Sequence, residues 1–176
     1  AIEITVVSID VDDNSANNIE LTETNAILVV RLAQAGSGGV TLVSSGGTIT
    51  LQNTSVTVQA GALVLTASAN IDSQANDGTA EIDADGNVTL TADGIGVNNE
   101  LEMTGNGSAD STLIISSTAA SGEEVDIDVL ADQFSAIQIS LDDASSNANI
   151  ELPGVDVINI TGAATLSTLA NVVLTN

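Results

Sequence analysis

The fold class follows from residues 39–71, which read GVTLVSSGGTITLQNTSVTVQAGALVLTASANI. Short alternating runs fill this stretch, and Gly, Ser or Asn separates them; the runs are Val40-Thr41-Leu42, Ile49-Thr50-Leu51, Val56-Thr57-Val58 and Leu63-Val64-Leu65. Alternation of aliphatic and hydroxyl residues predicts short β-strands, and the Gly, Ser and Asn clusters predict turns between them. Similar runs continue along most of the chain, whereas helix signals are almost absent. The sequence therefore predicts an all-β fold.

The spacing between runs favours one all-β architecture. Selecting every second or third run gives centres about 23 to 25 residues apart, at Thr41, Val64, Thr89, Ile114 and Gln138. A period of that length is expected if about three short strands make each coil of a parallel β-solenoid, or β-helix. Stacked coils would place aliphatic ladders inside and Thr, Ser, Asn and Asp outside.

A β-sandwich or jelly-roll pilin, completed by a donated strand, is the alternative architecture. The Asp-Gly pairs that begin at Asp77, Asp85 and Asp93 suit hairpin turns. The alternation in residues 2–6 suits a strand donated to another subunit. Against this alternative, Phe134 is the only aromatic residue, whereas antiparallel sandwiches usually have an aromatic-rich core.

The regular pattern predicts two regions within a single structural domain. Residues 36–176 form the β-solenoid-like domain. Residues 1–35 are less regular and contain a polar loop at 10–18, so we expect an N-terminal strand, a cap or an arm that contacts a neighbouring subunit.

Residues 39–141 resemble the β-helical repeats of filamentous-haemagglutinin-type surface adhesins. The resemblance is carried by residues 39–71, by GNVTLTADGIGVNNELEMTGNG at 86–107 and by STLIISS at 111–117, with their repeated phrase Gly-x-Val/Ile-Thr-Leu. It implies export, a right-handed parallel β-helix, and a role in surface adhesion or filament building.

The charged residues exclude most kinds of chemistry. The chain has 24 acidic residues and a single basic one, Arg31, giving a formal net charge of −23. It lacks Lys, His, Cys, Trp and Tyr, so the usual general bases, activated nucleophiles and imidazole or thiolate metal ligands are missing. We therefore predict that the protein is not an enzyme. We also predict no binding to nucleic acid and no membrane insertion, and we expect Arg31 to pair with Glu20 or Glu23.

Two acidic loops are candidate calcium sites, although no cofactor is required. Asp83, Asp85 and Asn87 have the D-x-D-G-N spacing through which oxygen ligands converge on Ca²⁺ around a glycine turn. Asp10, Asp12 and Asn14 form a similar cluster, with Ser15 where such loops prefer Gly. In both places a solvated turn is the competing interpretation.

Four Asn-x-Ser/Thr sequons are candidate glycosylation sites, at Asn53, Asn87, Asn106 and Asn159. The chain starts at Ala1 without a leader, which predicts a mature extracellular or cell-surface protein from which a signal peptide has been removed.

Together these features predict a structural subunit of an extracellular filament, fibre or surface layer, without catalysis. Its partners would be copies of itself, joined by end-to-end stacking or by strand donation from the N-terminus. The alternative is a non-polymerising adhesin segment that binds a host, mineral or polysaccharide surface.

Overall fold

A computed structural model describes residues 2–4, 6–104, 111–118, 124–130, 134, 136–141, 147–151, 157–162 and 172–175. Side chains are described for 6–104, 111–118, 125–130, 134 and 136–141. None of the described residues is helical. The strands are β1 (Ile2–Ile4), β2 (Ser8–Asp13), β3 (Ile19–Glu23), β4 (Ile27–Gln34), β5 (Val40–Ser44), β6 (Ile49–Leu51), β7 (Val56–Val58), β8 (Leu63–Ala67), β9 (Asn70–Ser73), β10 (Ile82–Ala84), β11 (Val88–Ala92), β12 (Gly94–Ile95), β13 (Leu101–Thr104), β14 (Thr112–Ser117), β15 (Glu124–Val129), β16 (Ala136–Leu141), β17 (Asn147–Glu151), β18 (Val157–Gly162) and β19 (Val172–Thr175).

The strands form two parallel sheets that the chain visits in turn. Sheet A has eight strands in the order β1-β3-β5-β8-β11-β14-β16-β18. The remaining 11 strands form sheet B. We call each strand of sheet A, with the sheet B strands that follow it, a level. Every pairing described between strands of successive levels is parallel, for example β5 with β8 and β8 with β11. The fold is therefore a parallel β-solenoid, as predicted, and the β-sandwich alternative is wrong.

Sheet B changes its form along the stack. The long strand β4 pairs with two short strands of the next level, β6 through Ile27–Val29 and β7 through Leu32–Gln34. Two columns of short strands then continue side by side, until β12 and β13 both pair with β15. Three short strands per level, the predicted number, therefore occur where sheet B is split, and two strands occur in the levels before and after it.

The predicted period matches the strand register of sheet A. Thr41 lies beside Val64, and Val64 lies beside Thr89. Thr89 in turn lies beside Ile114, and Ile114 lies beside Gln138. The run centres selected from the sequence are therefore direct neighbours on successive levels.

Alternation along each strand separates the core from the surface. In β5, β8 and β11 the first, third and fifth residues are buried and the second and fourth are partly exposed. Buried aliphatic side chains consequently stack in columns, such as Leu42, Leu65 and Leu90, all fully buried. Since no described level carries more than a few large side chains, the core is built from many thin aliphatic layers.

Strands of residues 1–35 belong to the same sheets as the later ones. β1 and β3 continue sheet A, and β2 and β4 continue sheet B. The N-terminal strands therefore stack directly on the level that begins with β5.

Candidate functional site

The predicted loop at Asp83–Asn87 forms a corner of the solenoid, where the chain passes from β10 to β11. Gly86 stacks over Gly61, which stacks over Gly38, at equivalent positions on three successive levels. A Cβ added to Gly86 would lie 2.3 Å from the Gly61 carbonyl oxygen, and one added to Gly61 would lie 2.1 Å from that of Gly38. Neither Gly61 nor Gly86 has a positive φ, so close stacking, rather than an unusual turn, requires glycine here.

Asn87 caps the neighbouring level. Its Oδ1 accepts a hydrogen bond of 2.8 Å from the Thr112 N–H at the start of β14. Asn18 has the same role at an earlier corner, where its Oδ1 accepts the Gly39 N–H at 2.9 Å. The Gly and Asn of the D-x-D-G-N motif thus both have structural functions at the corner.

The two aspartates of this motif are brought together. Asp83 and Asp85 line a polar groove of about 180 Å³ with Thr57, Val58 and Gln59, on the outer side of sheet B. Asn87 is not among the residues that line it. Within the described part of the chain, no group of three or more His, Cys, Asp or Glu side chains is arranged to hold a metal ion. Calcium binding by Asp83, Asp85 and Asn87 stays a prediction.

The second predicted loop contacts Arg31, the only basic side chain of the sequence. The Arg31 Nε donates to Asp10 Oδ1 at 2.7 Å, and the Arg31 Nη1 donates to Asp12 Oδ2 at 2.8 Å. The expectation that Arg31 pairs with Glu20 or Glu23 is therefore wrong, because β2 and β4 are neighbours and place these aspartates opposite it. Asn14 is exposed beyond the end of β2. A calcium ion bound by Asp10, Asp12 and Asn14 would have to compete with this ion pair.

Glu23 is instead a buried carboxylate held by backbone groups. It accepts N–H bonds from Val6 at 2.9 Å, Thr24 at 2.8 Å and Asn25 at 3.0 Å. These donors, the Val6 N–H first, lower the pKa of Glu23 because they stabilise the ionised form. Glu23 therefore fixes the corner that joins β3 to β4.

The sequons lie in different surroundings. The Nδ2 of Asn53 donates to both carboxylate oxygens of Asp77, at 3.1 and 2.9 Å, so a glycan on that nitrogen would replace this contact. Asn87 is exposed, with its Oδ1 on Thr112 as described above. Asn106 lies outside the described residues, and Asn159 is described only by its backbone, beside Gln138. Glycosylation stays a prediction at all four.

A pair of buried carboxyl groups was not predicted from the sequence. Glu81 is fully buried and Glu102 is 2% exposed, and they occupy adjacent positions on two levels, where the Glu81 N–H donates to the Glu102 carbonyl at 2.9 Å. By strand alternation both side chains should face solvent. The connection from β9 to β10, residues 74–81, covers them instead, since its Gly78 and Thr79 N–H groups donate to the Glu102 carboxyl group.

The hydrogen bonds around Glu81 are satisfied by its protonated form. Glu81 Oε2 accepts the Glu102 N–H at 2.9 Å, and Oε1 lies 2.8 Å from Ser73 Oγ. The Ser73 hydroxyl also lies 2.5 Å from the Ala75 carbonyl oxygen. Because a hydroxyl has one proton, which the carbonyl requires, the contact with Glu81 needs a proton on the carboxyl group.

Burial explains why Glu81 holds its proton. Desolvation, first among the causes, raises the pKa of Glu81 from 4.5 to about 7, and the neighbouring Glu102 adds to the increase. Burial also raises the pKa of Glu102, whose Oε2 has no hydrogen-bond partner. This pair is a pH-sensitive group inside the fold.

One end of sheet B has a free strand edge in the described structure. β2 pairs on one side only, with β4. Beside it Val7 is 86% exposed and Val6 is 44% exposed, and both line a cavity of about 560 Å³ with Ser8, Asn25 and Ala26. A parallel edge with adjacent apolar side chains is a surface on which another strand can pair.

Comparison with known proteins identified no relative of this chain. No protein family matches the chain, and no curated protein or solved structure shows significant similarity to it. The β-helical part of the predicted resemblance is confirmed by the structure. No apolar helix of membrane-spanning length occurs among the described residues.

Proposed function

We propose that the protein is a structural subunit of an extracellular filament, fibre or surface layer, without catalysis, related in role to filamentous-haemagglutinin-type adhesins. The observation that supports this most directly is the pair of continuous parallel ladders with a free edge at β2. Parallel backbone ladders can be continued by another copy without any change in geometry.

Strand direction limits how two copies can join. All described pairings are parallel, so the edge at β2 matches the opposite end of another copy, where β19 pairs only with β17. Two identical edges brought together would instead run antiparallel. A head-to-tail contact is heterologous and does not close on itself, and such contacts generate filaments.

Ser8→Pro is expected to block elongation at this edge. The Leu28 N–H donates to the Val7 carbonyl at 3.0 Å, so in a parallel ladder the N–H of Ser8 points away from β4, toward the free edge. Proline removes that N–H and leaves the pairing with β4 intact, as it does on natural edge strands. We expect electron microscopy to show at least a tenfold loss of filament length at equal protein concentration.

Ser8→Ala is the matched control, because it keeps the backbone N–H. It should assemble like the unmodified chain, and thermal melting should confirm that both variants remain folded. Unchanged filaments with Ser8→Pro would contradict pairing at β2. Monodisperse particles of the unmodified chain at high concentration, in salt and calcium, would contradict the filament and favour the non-polymerising adhesin.

Assembly is expected to strengthen with ionic strength. Each copy carries a formal charge of −23, and screening shortens the range of repulsion from about 10 Å at 0.1 M salt to about 3 Å at 1 M. Light scattering in a NaCl series should therefore show a lower critical concentration at higher salt. A critical concentration independent of salt would contradict this electrostatic account.

Comparing CaCl₂ with NaCl distinguishes screening of the negative charge from specific binding of Ca²⁺. If the groove of Asp83 and Asp85 takes Ca²⁺, millimolar CaCl₂ should promote assembly more than NaCl of equal ionic strength. The variant Asp83→Asn should then lose this difference and keep the response to NaCl. Equal responses to both salts in the unmodified chain would contradict calcium binding there.

A further inference from the structure

The outer side of sheet A has no charge over five successive strands. Charged residues make up 14% of the chain, yet β5, β8, β11, β14 and β16 contain none. Their outward side chains form two columns. The first column is Thr41, Val64, Thr89, Ile114 and Gln138. The second is Val43, Thr66, Thr91, Ser116 and Ser140. We call these two columns the neutral face.

Described carboxylates lie next to the neutral face and not within it. Glu20 is exposed on β3, one level before the face begins. Asp85 lies three residues before β11, and Asp93 directly follows that strand, so acidic groups lie at both ends of this central strand. On sheet B, by contrast, Asp83, Asp126 and Asp128 occupy positions within the strands. The acidic residues are therefore segregated from one sheet surface.

This segregation identifies the kind of partner. A neutral ligand gains little when carboxylates are excluded from its site, whereas a body with high negative charge is repelled by each of them. A second copy of this chain is such a body, with a formal charge of −23. We propose that the neutral face packs against the neutral face of a second copy and joins assembled chains side by side.

The geometry of the face suits packing against itself. Its outward residues repeat at the strand spacing of about 4.8 Å, and two such sheets pack about 10 Å apart when their side chains interdigitate. Eight of the ten side chains are Thr, Val or Ser, which are short, and the two longer ones, Ile114 and Gln138, lie together at one end of the face. The contact would be isologous, with the same patch on both copies, which closes after two chains. It therefore differs from the head-to-tail contact at β2.

The area of the face predicts weak pairing of single chains. Five strands about 4.8 Å apart and about 16 Å long cover roughly 400 Å² per copy, or roughly 800 Å² in a pair. Stable interfaces usually bury at least about 1,200 Å² in total. Along a filament the same contact repeats in every subunit, and the repeated contacts act together. Single chains should pair reversibly, whereas filaments should form bundles.

The inference rests on the proposed function for filaments, but its test has a separate readout. Thr89→Glu places a carboxylate at the centre of the neutral face, where two copies would bring like charges together. Val30→Glu is the control, since it places a carboxylate on the outer side of sheet B, where Val30 is 39% exposed. Sedimentation equilibrium at 0.5 M NaCl should show at least a tenfold weaker dimer for Thr89→Glu and an unchanged dimer for Val30→Glu.

Electron microscopy gives the second readout, filament width. With Thr89→Glu we expect single filaments of normal length, and with Val30→Glu we expect bundles like those of the unmodified chain. Equal weakening by both variants would overturn the proposal, as would an unmodified chain that stays monomeric by sedimentation. Binding of the unmodified chain to an insoluble neutral polysaccharide, lost in Thr89→Glu while the dimer persists, would also overturn it in favour of a glycan. Bundles that persist with Thr89→Glu would overturn it as well, whereas unmodified chains that dimerise but form no filaments would count only against head-to-tail growth.

Discussion

Replacing Gly61 with alanine is expected to destabilise the protein by at least about 3 kcal/mol. The added Cβ would lie 2.1 Å from the Gly38 carbonyl oxygen and 2.5 Å from the Gly39 nitrogen, both backbone atoms of the preceding level. These atoms are held by the ladders on each side, so they cannot move without separating two levels. For a chain of this size we expect the melting temperature to fall by roughly 10 °C, measured by circular dichroism.

Gly78→Ala is the control for Gly61→Ala. Gly78 has a φ of +76°, but a Cβ there would meet nothing nearer than Glu102 Oε1, at 4.0 Å. Its substitution therefore tests backbone strain alone, which costs about 1 to 2 kcal/mol. Equal losses of stability in the two variants would contradict the importance of glycine stacking at the corner.

The same corner shows how far the sequence alone leads. The spacing of the run centres correctly indicated a repeating coil, since Thr41, Val64 and Thr89 are direct neighbours on successive levels. This part is predictable because alternation and period are written directly in the order of residues. The role of glycine in corner stacking could not be predicted in this way. Gly86 contacts Gly61, which lies 25 positions earlier, and only the stacked structure places the two together.

The buried carboxyl pair marks a limit of pattern-based prediction. Alternation places Glu81 and Glu102 on the outer side of sheet B, where acidic residues normally meet water. They are buried because residues 74–81, which join β9 to β10, are longer than the equivalent connection at 52–55 and fold over them. The sequence shows that this connection is longer, but it does not show which surface the connection folds over. The partners of Arg31 were missed for a similar reason, because the pairing of β2 with β4 determines them.

Replacing Glu81 with glutamine is expected to stabilise the protein at pH 8. Burial raises the pKa of Glu81 from 4.5 to about 7, so the folded state binds a proton that the unfolded state releases. The resulting stability is fully present below about pH 4.5 and is lost as the pH rises through about 7. Glutamine mimics the protonated group, since its Oε1 can accept the Glu102 N–H and its Nε2 can donate to Ser73.

The difference in stability between Glu81→Gln and the unmodified chain should grow with pH. From the pKa values we expect about 1 kcal/mol or less at pH 5 and on the order of 3 kcal/mol at pH 8. Urea unfolding at several pH values and constant salt measures it. A constant difference for Glu81→Gln would contradict a protonated Glu81.

Glu23 provides the opposite sign in the same experiment. Its pKa is lowered, first by the Val6 N–H, so its contribution to stability is present above the ordinary value of 4.5 and is lost as the pH falls through the lowered pKa. Glu23→Gln should therefore destabilise the protein at pH 7, where Glu81→Gln does not. Both side chains are fully buried glutamates, and they differ in the N–H donors that face them. Glu23 accepts three backbone N–H groups and the Nδ2 of Asn25, whereas Glu81 accepts two backbone N–H groups, that of Glu102 and its own. The two variants therefore measure separately how each of these buried carboxyl groups contributes to the pH dependence of stability.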